Sequence, residues 1–246
     1  MTSLANRPTL RSDKAMLMAH PLIDIHSHAD RPSVGWRILS LDISAVVDGQ
    51  YLQSEIVEPN RHVSIGIHPW FIARQPLEQS WQVLETLCID PQVLAIGECG
   101  LDRCIDTPLT TQSEVFSRQI ELSERIEKPL IIHCVRAFDE LLALRKAFKP
   151  TQPWIVHGFT GKPALAQQLI NHGCYLSFGK ALLKPDSPAC QTLPTIPLDR
   201  LFLETDAAAD ISIAQIYTAA AKILGFDIGV LSAELHRNFT RVFLHD

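Results

Sequence analysis

Residues 93–136 read VLAIGECGLDRCIDTPLTTQSEVFSRQIELSERIEKPLIIHCVR. The stretch opens on a short apolar run, 93–98, of the length and composition of a buried strand. It continues through 112–127, where Val115, Phe116, Gln119, Ile120 and Ser123 recur at helical spacing with charges opposite. Thr111 precedes that segment as an expected N-cap, with Glu114 three residues on as its capping-box partner. A second apolar run, 129–133, closes the unit. Both runs are apolar on successive positions, as strands covered on both faces are in a parallel sheet.

The same unit recurs in both directions along the chain. Strands are expected at 21–26, 38–47, 62–67, 93–98, 129–133, 154–157, 174–178 and 201–205. Helices are expected at 77–89, 112–127, 137–148, 163–172 and 211–224, and a last one at about 231–244 closes the chain. Strand and helix alternating about eight times predicts a TIM-type (β/α)8 barrel, an α/β fold in one domain. An open doubly wound sheet is the competing arrangement. The domain is expected over 21–246, after an N-terminal extension over 1–20. The 16 prolines are scattered at loops and strand starts, and no linker or repeat divides the chain.

Composition sets outer bounds. The 246 residues are 46% hydrophobic and 20% charged, which is ordinary for a globular chain and excludes disorder as the starting assumption. Lys plus Arg is 22 and Asp plus Glu is 27, a net charge of −5. No run of like charge signals a basic nucleic-acid binder, although a bound metal ion can supply local positive charge. No apolar stretch is long enough to span a membrane, and the first residues lack an apolar signal core. A cytoplasmic location is therefore expected, with six reduced cysteines, no membrane contact and no obligate protein partner.

The polar residues that interrupt the apolar strands share one end of the fold. The first strand runs into Asp24-Ile25-His26-Ser27-His28, and period-two alternation predicts Asp24, His26 and His28 on one face, opposite Ile25. An HxH pair alone is a weak metal signal. Glu98 ends an apolar strand between Gly97 and Gly100, which permit close backbone approach, and buried glutamates are rare unless paired or metal-bound. His133 and His157 end the fifth and sixth strands, and Glu204 and Asp206 follow the eighth. Each alone reads as an ordinary capped or hydrogen-bonded residue. Together they gather at the C-terminal ends of the strands, where barrel active sites form. Four histidines and two carboxylates suit two divalent ions of the Zn²⁺ or Mn²⁺ kind better than Ca²⁺. His68 follows the third strand at the same mouth and is expected on the substrate side. Arg136, at the start of a helix, is expected to meet an anionic substrate.

These motifs resemble those of the TatD-family metal-dependent hydrolases of the amidohydrolase-like barrel superfamily. The resemblance rests on Asp24-Ile-His26-Ser-His28, Gly66-Ile-His68-Pro69, Ile96-Gly97-Glu98-Cys-Gly100-Leu101-Asp102, Ile131-Ile-His133-Cys-Val-Arg136, His157-Gly-Phe159-Thr-Gly161 and Leu203-Glu204-Thr205-Asp206, in that order. Asn238 and Phe243 resemble the closing helix. The chain departs from the usual pattern at Ala29-Asp30 and at Ala207-Ala208-Ala209-Asp210. The resemblance implies His26 and His28 on one ion, His133 and His157 on another, Glu98 bridging, and Asp206 as ligand of the first ion and general base. It implies Mg²⁺, Mn²⁺ or Zn²⁺ as cofactor and DNA as substrate, cleaved from 3′ to 5′.

The chemistry is consistent on physical grounds. Two ions sharing a carboxylate activate water and clamp both oxygens of a displacement. The expected function is phosphodiester hydrolysis. The alternative is an amidohydrolase or esterase acting on a small molecule, distinguished by a closed pocket in place of an open groove.

Overall fold

The computed structural model describes residues 20–29, 35–49, 62–208 and 210–245. Asp30, Ala209 and, except for His20, the expected N-terminal extension lie outside them. Eight strands form one sheet in sequence order: β1 Ile23–Ser27, β2 Trp36–Asp42, β3 His62–Gly66, β4 Val93–Asp102, β5 Leu130–Val135, β6 Trp154–Val156, β7 Tyr175–Phe178 and β8 Leu201–Leu203. Every neighbouring pair is parallel. The helices are α1 Ile43–Val47, α2 Leu77–Leu87, α3 Leu109–Ile126, α4 Phe138–Phe148, α5 Pro163–Asn171, α6 Pro188–Thr192, α7 Ile213–Leu224 and α8 Ile228–Phe239. Among the described residues no single helix is long and apolar enough to cross a membrane.

The sheet closes on itself beyond the end of β8. The Asp206 amide donates to the His26 carbonyl (2.9 Å), and the His28 amide donates to the Asp206 carbonyl (3.2 Å). One layer lower, the buried Asp24 carboxylate accepts from the Thr205 amide (2.9 Å) and hydroxyl (2.7 Å). The seam of the barrel is therefore stitched at the mouth where the histidines gather.

Two apolar layers hold the barrel. Ile23, Ile25, Ile38, Ala95, Ile131, Ile155 and Phe202 come from six strands and pack in one cluster, which only the barrel interior can bring together. Phe239, Val242 and Phe243 close it from the end opposite the mouth. Leu39, Val63, Ile96, Leu130, Val156, Leu176 and Leu203 alternate with these and pack outward against the helices. Asn238 fastens the closing helix. Its buried side-chain amide donates to the carbonyls of Leu198 (2.7 Å) and Leu201 (3.0 Å) and accepts from Arg241 (2.8 Å). Asn238→Ala leaves the buried Leu201 carbonyl and the partly buried Leu198 carbonyl without this donor. It is expected to lower stability in urea unfolding by about 1–3 kcal/mol.

Three local expectations are corrected. The apolar run 38–47 is a strand only to Asp42 and turns helical at Ile43, because the Asp42 carboxylate caps α1 by accepting from the Ser44 amide (2.8 Å). α3 starts at Leu109 after Pro108, so Thr111 is not its cap and no capping box forms with Glu114. The capping box belongs to α7, between Ser212 and Gln215. Finally, Asp24 does not share the inner face with His26. The pairing of β1 with β2 shifts register between Asp24 and Ser27. Ile23 and Ile25 consequently point inward, and His26 enters the same interior past the irregularity.

Candidate metal centre

Glu98 stands at the centre of five imidazoles. Its Oε1 lies 2.8 Å from His157 Nε2, 2.9 Å from His133 Nδ1 and 3.0 Å from His68 Nε2. Its Oε2 lies 3.3 Å from both His26 Nε2 and His28 Nε2. Asp206 Oδ1 faces the latter pair at 3.8 and 3.6 Å. The two oxygens of one carboxylate thus address two different sets of nitrogens.

Backbone geometry explains how a glutamate reaches this position. Gly100 has φ +134°, and a Cβ there would stand 2.1 Å from the His133 carbonyl oxygen. Gly97 has φ +156°, and its Cβ would stand 2.6 Å from the Ile131 carbonyl oxygen. Only glycines let β4 approach β5 this closely on both sides of Glu98. Asp206 also adopts a positive φ of +53°, a region that Asp and Asn tolerate better than other side chains.

Each ring that faces Glu98 is oriented by a group behind it. His133 Nε2 lies 3.0 Å from the Asp102 carboxylate, which can hold the ring proton on that nitrogen and so free Nδ1 for a metal ion. His157 Nδ1 lies 3.4 Å from Glu204 Oε1, which also accepts the Gly158 amide (2.7 Å), so Nε2 is the nitrogen turned towards Glu98. His68 is the reverse case. Its Nδ1 accepts the Trp70 amide (3.1 Å), so Nε2 carries a proton and donates to Glu98.

The charges follow from these contacts. Burial opposes ionisation of Glu98, but the charge of His157 and the hydrogen bonds from His133 and His157 outweigh it and hold the carboxyl well below its usual range. Burial likewise opposes a charge on His157, but the Glu98 and Glu204 carboxylates raise its pKa well above the ordinary value. His26 is lowered, first by burial and then by the charge of His157.

The donor set fits divalent cations. His26 is fully buried, and neither of its ring nitrogens meets hydrogen-bond geometry. A buried polar atom without a partner is costly and calls for an occupant. Among the described residues, three groups bring one donor atom each to within 4.8 Å of one another: His26, His28 and Glu98; His26, His157 and Asp206; and His68, Glu98 and His133.

Apart from Asp24, which lies one layer lower, the histidines and carboxylates singled out in the strand-end motifs lie at this mouth. Arg136 does not join them. It is exposed, and it is absent from the lining of the cavity of about 510 Å³ that opens over the cluster. Lys180, two residues beyond β7, lines that cavity instead. Sequence reasoning missed Lys180, whose one signal was its place just past a strand end. It also left Asp102 and Trp70 without a role, although the first ends a quoted motif and the second follows His68-Pro69.

Asp102 Oδ2 accepts from both the Trp70 indole N–H (2.7 Å) and His133 Nε2. Carboxylates behind metal-binding histidines are worth about 10–100-fold in affinity. Asp102→Asn is expected to weaken Mn²⁺ binding by that factor in calorimetry and to let His133 exchange tautomers in NMR spectra of its ring nitrogens.

Comparison with known proteins places this geometry in context. The family model described as TatD related DNase matches residues 37–243. The human 3′-5′ RNA nuclease TATDN2 is 37% identical over 151 residues, which is 58% of this chain and 20% of that protein. The 3′-5′ ssDNA/RNA exonuclease TatD of Klebsiella pneumoniae (strain 342) is 37% identical over 131 residues, 51% of this chain and 49% of the relative. The uncharacterized metal-dependent hydrolase YjjV of Escherichia coli (strain K12) is 31% identical over 151 residues, 59% of this chain and 58% of the relative. The chain thus spans about half the length, or less, of the curated relatives it matches. The crystal structure of the TatD homologue YJJV from Escherichia coli superposes with a TM-score of 0.78 at 21% identity, covering 91% of this chain and 98% of that one. A hydrolase TatD family protein from Entamoeba histolytica superposes with a TM-score of 0.72 at 16% identity, covering 92% and 99%. Both share the barrel fold.

Proposed function

Because the chain belongs to the TatD related DNase family, we propose that it is a metal-dependent phosphodiesterase that trims single-stranded DNA from its 3′ end. The observation that carries this reading is Glu98, whose two oxygens address separate sets of imidazoles beside the accessible carboxylate of Asp206. His26, His28 and Asp206 with Glu98 would hold one divalent ion, and His133 and His157 with Glu98 would hold the second. His68 is outside the ligand set because its Nε2 carries the proton that a ligand would have to lose. It sits on the substrate side, where that N–H is within reach of a phosphate oxygen.

When bound, Mg²⁺, Mn²⁺ or Zn²⁺ supplies a nucleophilic water at neutral pH and offsets charge on the phosphoryl oxygens. The protein divides the remaining work between two carboxylates. The Glu98 side chain is 6% exposed and ringed by imidazoles, so it is a ligand and not a proton acceptor. The Asp206 side chain is 31% exposed and faces the cavity. Its carboxylate would take the proton of the attacking water. Lys180 lines the same cavity and is better placed than Arg136 to meet the phosphate.

An end-labelled single-stranded DNA oligonucleotide tests this reading, with Mn²⁺ or Mg²⁺ and a chelator control. A ladder shortening from the 3′ end in the presence of metal alone is the expected result. No cleavage by protein that holds its ions would discard DNA and move the substrate to small esters and amides.

A further inference from the structure

Trp70 is 50% exposed on the wall of the catalytic cavity, where large apolar side chains are normally covered. It is nevertheless held in place. Its indole N–H donates to the buried Asp102 carboxylate (2.7 Å), and its ring meets His68 and His133 edge-to-face, with centroids 5.0 and 5.7 Å apart. Its position in the 3₁₀ turn Pro69–Arg74 is fixed in turn by the bond from its amide to His68 Nδ1.

That single N–H is the only hydrogen-bonding group of an indole, and Asp102 occupies it. The exposed half of Trp70 therefore offers carbon surface alone and has no means of reading donors and acceptors on a ligand. A rigid aromatic face beside a cluster built for phosphate chemistry, with the cation Lys180 on the same cavity, suits a flat aromatic group attached to a phosphate. On the reading that this is a nuclease, we infer that Trp70 is a stacking platform for a nucleobase next to the scissile phosphate. It selects unpaired strands whose bases are free, and it does so without preference for sequence.

The test compares an oligothymidylate with the same oligonucleotide carrying abasic residues at its 3′ end. Wild-type protein is expected to favour the intact substrate through KM. In Trp70→Ala the ratio of kcat/KM between the two substrates should fall about tenfold or more, whereas Trp70→Phe should keep most of it. Both variants lose the bond to Asp102. A role confined to orienting Asp102 and His133 would lower kcat in both alike and leave the ratio at its wild-type value, which would overturn the inference.

Binding gives a second readout that does not depend on cleavage. Thymidylyl-thymidine should quench tryptophan fluorescence in the wild-type protein, and Trp70→Phe should abolish the quenching. If wild-type protein cleaves neither oligonucleotide, the nuclease reading fails alone and this titration decides the stacking site. Absence of quenching in the wild type would overturn it.

Discussion

Asp206→Asn is expected to lower turnover on single-stranded DNA by roughly a hundred- to ten-thousandfold, the usual contribution of a positioned general base, while the melting temperature hardly moves. The argument for an intact fold lies in the backbone. Asp206 closes the barrel through its main-chain amide to His26 and its carbonyl to His28, and neither bond involves the side chain. Its φ of +53° is one that asparagine shares with aspartate. The amide oxygen of Asn remains a metal donor, but the side chain cannot accept a proton. Steady-state kinetics with a thermal melt would check this. A variant with wild-type turnover would remove Asp206 from the role of base.

Glu98→Gln is expected to have the larger effect on the protein as a whole. Among the described residues Glu98 alone contacts all five imidazoles, so the substitution should weaken metal binding at least a hundredfold and reduce the metal content below that of the wild type. It also leaves a buried charge without its counter-ion, because His157 loses its nearest carboxylate and keeps only Glu204 at 3.4 Å. Removing one partner of a buried ion pair costs about 3–5 kcal/mol. Metal-free Glu98→Gln should therefore unfold at lower urea than metal-free wild type. Elemental analysis and urea unfolding measure the two losses separately. Full metal content in the variant would place the ions elsewhere.

The barrel was legible because most strands are short apolar runs, and the cluster at its mouth was legible because most of those runs end abruptly on a histidine or an acid. What remained hidden depends on contacts between strands. Asp102 and Trp70 are separated by 32 residues, and they meet only because the β3–β4 pairing brings the segment after β3 over the end of β4. Asp102 reaches His133 because β4 continues past Glu98 and pairs Gly100 with His133. The register shift in β1 defeated simple alternation at Asp24, since a period of two assumes an unbroken ladder. The short helix after Asp42 was indistinguishable from strand, because five apolar and small residues carry no period of their own. Lys180 enters the cavity from a turn, a place that no apolar pattern marks.

The claim that one carboxylate joins two ion sites is tested most directly by titrating metal-free protein with Mn²⁺ and recording its paramagnetic resonance spectrum. Two ions per chain are expected, with an exchange-coupled spectrum at full loading that Glu98→Gln abolishes. One ion per chain, or two that remain magnetically independent, would contradict the account.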